Sequence, residues 1–436
     1  MMNSARITTG TASRQQLKSR LLDARARCDE LFALLRPDAL YERPIPERNR
    51  IIFYLGHFEA FDWNLICDGL FGMKSIQREF DRLFAFGIDP TNGNLPQDRP
   101  GDWPGAAEVR DYNVRVRQAV DFCLDRATED QRFHVAIEHR LMHAETLTYM
   151  FHCLPISMLS RPPVCTEVDL RPVQPRSIQI PAGSATLGML RHADSFGWDN
   201  EFDACDVKVP AFVIDVHKVT NDDYLKFVRA GGYQEKSLWT ESGWQWIRNN
   251  DIRYPQFWRP RNGGFACRTL FAEVPFQPFW PVYVSHAEAE AYARWKGKSL
   301  PSEAQFHRGA FGTPGGAERA YPWGEERPGL RHGVFAFNRW DPVRVDAHPD
   351  GASAFGVLGL VGNGWEWTST KFAPFPGFKP FEFYPGYSAD FFDDNHYVTK
   401  GGSARTALTF LRRSFRNFFQ PLYPNTYTGF RCVEAA

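Results

Sequence analysis

Residues Glu129 to Cys153 read as one helix, and inside it His139 and His143 stand four positions apart. That spacing puts both side chains on one face, so the two imidazoles reach the same point in space. Borderline transition metals such as iron and zinc favour imidazole nitrogen. At about 100° per residue, Glu145 lies about 200° around from His143 and about 120° from His139, so on a straight helix it faces elsewhere. His134 and His152 are also off that face. A third donor has to come from another element, and His57, in Tyr54-Leu55-Gly56-His57-Phe58-Glu59, is the best candidate. A plainer reading stays open on the spacing alone, since such pairs arise by chance and can cap a buried polar layer.

A helix with inward histidines needs neighbours. Three further amphipathic runs supply them: Ser13 to Leu35, Pro46 to Phe71 (which carries His57) and Gly105 to Ala127. With Glu129 to Leu154 they predict a helical bundle, where metal sites are built from side chains on facing helices. Between the second and third runs, the stretch from Phe86-Gly87-Ile88-Asp89-Pro90 to Trp103-Pro104 is rich in Gly, Pro and Asp and reads as a long loop, a length often tied to function.

From Cys165 onward the character changes. Arg171 to Arg176 is a polar, proline-punctuated linker, followed by Ile178-Gln179-Ile180-Pro181-Ala182-Gly183. Short apolar runs then alternate with Gly, Pro and Asn turns. Only two helices stand out, Thr220 to Ala230, with Thr220 as its N-cap, and Ser285 to Trp295. The expectation is an α+β chain of two domains, helical over 12–165 and strand-rich over 176–434. There is no internal repeat.

Charge excludes some partners. Basic and acidic residues number 51 each, which leaves no electrostatic footprint for nucleic acid or an anionic membrane. No apolar run reaches the length of a membrane span, and Met1 to Gln16 lacks the apolar core of a secretory signal. The eight cysteines are scattered without a CxxC pair, a pattern of reduced thiols in a cytoplasmic protein. Aromatic residues make up 15% of the chain. Most of them, including Trp323, Trp365 and Trp367, are expected in cores, and an excess can line a pocket for a quaternary ammonium group. Arg412, Arg413 and Arg416 read as surface or domain-bridging charges, with Arg416, beside Asn417, also placed to orient a pocket wall. His192, His217, His286, His307, His332, His348 and His396 show no convergent spacing.

Collinear motifs then narrow the class. Ile180-Pro181-Ala182-Gly183, Val219-Thr220-Asn221, Leu300-Pro301-Ser302-Glu303-Ala304, Val361-Gly362-Asn363-Gly364-Trp365-Glu366-Trp367 and Gly429-Phe430-Arg431 run in order through the second domain. They resemble the formylglycine-generating-enzyme/sulfatase-modifying-factor family, a C-type-lectin-like fold. The first domain resembles the DinB-like four-helix bundle, whose metal site uses three histidines. Together the halves resemble the EgtB-like non-haem iron sulfoxide synthases, with Phe196-Gly197-Trp198-Asp199-Asn200-Glu201 and Ser414-Phe415-Arg416-Asn417 as further shared pieces.

The resemblance implies iron(II) on His57, His139 and His143, with Glu145 packing behind them and Met142 beside the substrate. It implies dioxygen as co-substrate and hercynine, the betaine of histidine, as acceptor, held between the two domains against aromatic rings. Asn417 would lie close to the acceptor imidazole, with Arg416 orienting that wall and Phe418 and Phe419 as walls of the cage. The family's active-site tyrosine falls near Phe375-Pro376-Gly377-Phe378, where Tyr384 or Tyr387 can serve, and Tyr384 is the choice.

The chain also departs from the pattern. Several family members follow Arg-Asn with Trp-Asp and then an arginine pair that hold γ-glutamylcysteine. Here the run is Arg416-Asn417-Phe418-Phe419-Gln420-Pro421-Leu422-Tyr423-Pro424, and the bundle loop Asp89 to Pro96 carries no arginine until Arg99. A dicarboxylate thiol would lose charge-assisted contacts. The expected donor is therefore neutral and polyhydroxylated, as in the selenoneine-synthase branch, which joins a selenosugar to hercynine. The alternatives are a sulfoxide synthase using cysteine or γ-glutamylcysteine, and a non-catalytic lectin-like binding protein. A formylglycine-generating oxidase is excluded because Gly401 to Asn417 lacks that family's copper-binding cysteines and Cys432 stands alone. A zinc-dependent DinB-type thiol transferase would leave the second domain without a purpose.

Overall fold

The computed structural model describes residues 14–85, 95–127, 130–160, 168–191 and 196–436. The chain separates into two compact units, Met1–Pro162 with His192–Phe196, and Pro163–Arg191 with Gly197–Ala436.

The first unit is helical: α1 (Arg14–Ala33), α2 (Ile51–Asp62), α3 (Arg78–Leu83), α4 (Ala106–Arg126) and α5 (Gln131–His152). Helix α1 buries Leu17, Leu21, Ala24, Cys28 and Leu31, a stripe at three- and four-residue steps that packs on α5. Helix α4 repeats the pattern with Val109, Tyr112, Val116, Val120 and Cys123. From Ile51 to Ala60, α2 is buried all round, as befits the central helix of the bundle. Asp130 starts α5 by accepting the Arg132 N–H at 2.8 Å, a side-chain N-cap.

Two features depart from the sequence reading. The run expected as one helix from Pro46 to Phe71 begins only at Ile51, and past Asp62 it widens into a π-helical turn, Trp63–Asp68. Such turns interrupt α-helices chiefly at functional places. The six-residue α3 was too short to show a period. Of the expected loop, residues 86–94 lie outside the described residues. Its described part is tied down: Asp98 accepts from Arg43, from Arg50 Nε at 2.9 Å and from the Trp103 indole at 2.7 Å.

In the second unit come β1 (Ser177–Ile180), β2 (Gly183–Leu187), β3 (Cys205–Val209), β4 (Phe212–Asp215), α6 (Asn221–Arg229) and α7 (Glu241–Asn249). They lead to β5 (Trp258–Arg261), β6 (Gly264–Arg268), β7 (Glu273–Pro275), α8 (His286–Trp295) and α9 (Glu303–Phe311). The unit closes with β8 (Trp365–Lys371), β9 (Tyr397–Lys400), β10 (Asn417–Phe419), β11 (Thr428–Gly429) and β12 (Val433–Ala435). Its sheets run β1-β4-β12, β10-β9-β8-β11, β2-β3 and β5-β6-β7, all antiparallel except β11 on β8. Short sheets joined by long connections make the mixed helix-and-strand class that the motifs implied.

Helices α7 and α9 escaped the sequence reading although α6, equally nine residues long, did not; each carries a glycine, Gly243 and Gly309, which weakens the helical signal. Ser302 and Gln305 form a capping box at the start of α9, which Leu300-Pro301-Ser302-Glu303 could have signalled. The core is aromatic: Tyr224, Phe227, Tyr292, Trp367 and Phe430 cluster with other buried side chains. Trp365 and Trp367 are buried as expected. Trp323 is half-buried, packed against the small core of Phe335, Val361 and Leu411 and stacked on Tyr321 (5.2 Å) and His332 (4.3 Å). Beneath the core, Arg431 grips Glu366 through both carboxylate oxygens (2.6 and 2.8 Å) and also donates to the carbonyls of Asp215, Val216 and Leu358. Lys218 joins the same carboxylate at 3.1 Å. No helix among the described residues is long and apolar enough to cross a membrane.

Candidate metal centre

The histidines read from the sequence meet inside the bundle. His57 comes from α2, His139 and His143 from successive turns of α5, and ligating nitrogens of all three lie within 4.8 Å of one another. Among the described residues this is the one cluster of three or more His, Cys, Asp or Glu side chains able to hold a metal ion. All three are buried, at 2–3% exposure.

Each ring is held in place. Nδ1 of His57 donates to the Phe84 carbonyl at 2.7 Å, which leaves Nε2 as a lone-pair acceptor; no partner among the described residues takes it. A backbone carbonyl on the far nitrogen is the usual device for fixing a ligand's tautomer and orientation. His139 and His143 face each other through their Nε2 atoms at 3.1 Å. For metal–imidazole bonds of about 2.1 Å, two ligands at right angles are separated by about 3 Å, so this pair is spaced for one ion. Phe61 stacks on His139 (3.7 Å, 12°) and Phe53 on His57 (4.8 Å, 22°), while Phe58 meets His143 edge-on at 5.6 Å.

The protonation states suit a metal. Burial pushes His57 down to about 4, with the Phe84 carbonyl opposing and Arg140 adding to the fall. Burial, together with the neighbouring imidazoles, holds His139 and His143 well below the usual histidine range. All three are neutral near pH 7, the form that ligates. An orphaned, fully buried Nε2 aimed at two facing imidazoles has a polarity cost that an ion would relieve. The donor set of three neutral nitrogens fits iron(II).

Sequence reasoning missed what braces the triad. Arg140, beside His139, is wholly buried and reaches across to α2, donating to Asp62 through Nη2 (2.6 Å) and Nε (3.0 Å) and to Glu59 through Nη1 (3.2 Å). Glu59 also accepts from Arg117 Nε at 2.7 Å, and Arg117 forms a bidentate pair with Asp29 (2.7 Å each). The network joins α1, α2, α4 and α5. Its signal was present as acidic residues at His57 + 2 and + 5 in an apolar helix, where lone charges would be costly. Gly56 adds a steric requirement, because a Cβ there would sit 2.6 Å from the Phe84 ring whose carbonyl holds His57.

The other expected residues are placed as follows. Glu145 is buried on α5 and does not join the histidine cluster; Met142 is half-buried there, its carbonyl accepting from Thr146 Oγ1 at 3.2 Å. In the second unit, Arg416 corrects the surface reading. It is 2% exposed and committed to Glu303 (3.1 Å) and to the carbonyls of Ala373 (3.0 Å) and Asn200 (3.4 Å). Arg412 pairs with Glu201 at 2.5 Å and Arg413 with Glu318 at 2.7 Å. Asn417 opens β10, its Oδ1 accepting from the Phe418 N–H at 3.0 Å. Phe418 stacks on Phe372 (3.9 Å, 15°), whereas Phe419 faces Trp367 and Tyr423, each at 6.3 Å. Neighbours on a strand point to opposite faces, so the two phenylalanines do not wall one cage together. Tyr384 is half-buried 5.6 Å from Tyr387; burial, with Asp199 and Asp390 nearby, lifts its phenol to about 12.

Comparison with known proteins agrees with this architecture. Residues 20–152 match the DinB superfamily and residues 165–436 the sulfatase-modifying factor enzyme 1-like domain. The chain is 34% identical over 370 residues to hercynine oxygenase of Mycolicibacterium smegmatis, covering 81% of this chain and 83% of that one. It is 35% identical over 331 residues to hercynine oxygenase of Mycobacterium tuberculosis (74% and 77% covered). Ergothioneine biosynthesis protein 1 of Neurospora crassa is 27% identical over 491 residues, covering 92% of this chain and 55% of that protein. With a DinB bundle ahead of a sulfatase-modifying-factor domain and this degree of identity over most of its length, the chain belongs to the EgtB-like sulfoxide synthase family of iron-dependent oxidoreductases.

Proposed function

We propose that this enzyme uses iron(II), held by His57, His139 and His143, and dioxygen to attach a chalcogen to the imidazole ring of hercynine. The observation that carries the reading is the buried convergence of three neutral imidazoles in a chain this similar to two hercynine oxygenases. When bound, the iron supplies dioxygen activation and a binding position for the chalcogen donor. The chain's own residues do the rest. The phenylalanines around the triad exclude water, the Phe84 carbonyl and the Arg140 network hold the ligands in place, and Asn417 offers an amide to the acceptor ring. Tyr384, kept protonated at neutral pH, is the proposed proton donor.

For the donor, the proposal is a neutral selenosugar. Arg416 is buried and bonded through Nε and Nη1 to Glu303 and two carbonyls, and Phe419 and Tyr423 stand where other members carry charge, so this segment is poor in positive charge for a donor carboxylate. A second reading, a sulfur donor such as cysteine or γ-glutamylcysteine, draws support from the likeness to ergothioneine biosynthesis protein 1. One experiment separates them. Iron-loaded enzyme is given hercynine and oxygen with selenosugar, thiosugar, cysteine or γ-glutamylcysteine, and products are read by mass. Turnover with the selenosugar supports the proposal. Turnover with γ-glutamylcysteine alone overturns the donor and leaves the iron chemistry standing, and no hercynine product with any donor overturns both.

A further inference from the structure

Away from the imidazole triad, the bundle gathers three sulfur atoms. Cys67 lies in the π-helical turn after α2, Cys123 in the last turns of α4, and Met73 in the connection toward α3. The two thiols are completely buried with their sulfurs 3.9 Å apart, and Cys123 Sγ is 3.5 Å from Met73 Sδ. The Met73 N–H donates to the Cys67 carbonyl at 2.8 Å, which ties the backbone of Met73 to that of Cys67. Met73 is half-buried, which leaves an approach from its side.

We infer that Cys67, Cys123 and Met73 form a binding site for a soft monovalent cation, copper(I), separate from the iron centre. Thiolate and thioether are the ligands that select copper(I) over harder ions. With metal–sulfur bonds of about 2.3 Å, ligand sulfurs around one ion are separated by roughly 3.8–4.0 Å. The thiol pair already has that spacing, and Met73 needs to move back from Cys123 by only a few tenths of an ångström. A thioether on three rotatable bonds can do so. Burial raises both thiols, so each is protonated in the metal-free protein. Binding therefore exchanges two protons, released to solvent, for one cation. Two thiolates and copper(I) leave one negative charge, which Arg25 near Cys67 and Arg126 near Cys123 are placed to offset; Asp62 opposes near Cys67. The π-helical turn puts Cys67 where it can meet α4, and an ion there would cross-link the two elements.

The test is an anaerobic titration of iron-loaded enzyme with copper(I) against a colorimetric copper(I) chelator. One equivalent held against the chelator, with iron content unchanged and a sulfur-to-copper charge-transfer band, is the expected result. Cys67→Ala or Cys123→Ala should abolish retention. Met73→Leu keeps the volume of a half-buried side chain, and should weaken retention about tenfold and cut the sulfur scatterers seen by X-ray absorption from three to two. No retained copper in the wild type overturns the proposal. So does undiminished retention in the cysteine variants, or an absorption spectrum showing nitrogen ligands.

Discussion

At the scale of single residues, the site depends on side chains that never touch the ion. Gly56 is the sharpest case. Adding one methyl group drives a Cβ into the Phe84 ring at 2.6 Å; that ring is hemmed in by Phe53, Phe80 and Trp103, so the clash presses on the residue whose carbonyl orients His57. Gly56→Ala should therefore cost about 1–3 kcal/mol as overpacking and also loosen iron. Denaturant titration of the metal-free protein and a ferrous-iron competition assay would read the two effects separately. Replacing His143 by alanine should abolish stoichiometric iron with little loss of fold, checked by metal analysis and circular dichroism. The two histidines of α5 were legible because four-residue spacing puts them on one helix face, and the family resemblance singled out a metal over a buried polar layer. The Phe84 carbonyl was not, since backbone groups carry no sequence signature.

At the scale of elements, the decisive contact is between α2 and α5. These helices carry all three imidazoles, and Arg140 pins them by bonding Asp62 and Glu59 in an interior that water does not reach. Removing one member of such a buried ionic group strands the others, at about 3–5 kcal/mol. Arg140→Met should show that loss in denaturant unfolding and weaken iron binding in parallel. Arg140→Lys should restore part of the stability but less of the metal affinity, because an ammonium cannot bridge both carboxylates with the guanidinium's planar fork. Six helices were foreseeable from the sequence, four in the bundle and α6 and α8 in the second unit. The short α3 was too brief for a period to emerge, α7 and α9 are each interrupted by a glycine, and the π-helical turn breaks the period it would be judged by.

At the scale of the whole molecule, acid sensitivity follows from buried histidines outside the metal centre. His286 stacks on Tyr397 at 3.7 Å and lies 3.1 Å through Nε2 from the Thr368 carbonyl; burial pushes it down to about 3. Above pH 6.5 the ring is neutral whether folded or unfolded and favours neither state. As pH falls from 6.5 toward 3 the unfolded chain takes up a proton that the folded one refuses, so stability drops through that window, by on the order of 5 kcal/mol at full extent. His286→Gln should flatten the decline, read as melting temperature against pH. The family's motifs announced this second unit, yet several of their residues turn out to be architectural. Arg431, Glu366 and Trp367 are interior parts whose conspicuousness comes from packing. Strand β12 and Arg431 also hold β4, more than two hundred positions earlier in the chain, through the β12–β4 ladder and the bonds to Asp215 and Val216. During synthesis the exposed edge of β4 must wait for residues 431–435 to clear the ribosome. A nascent chain stalled before Arg431 should present an uncovered strand, a natural target for chaperones and a seed for aggregation.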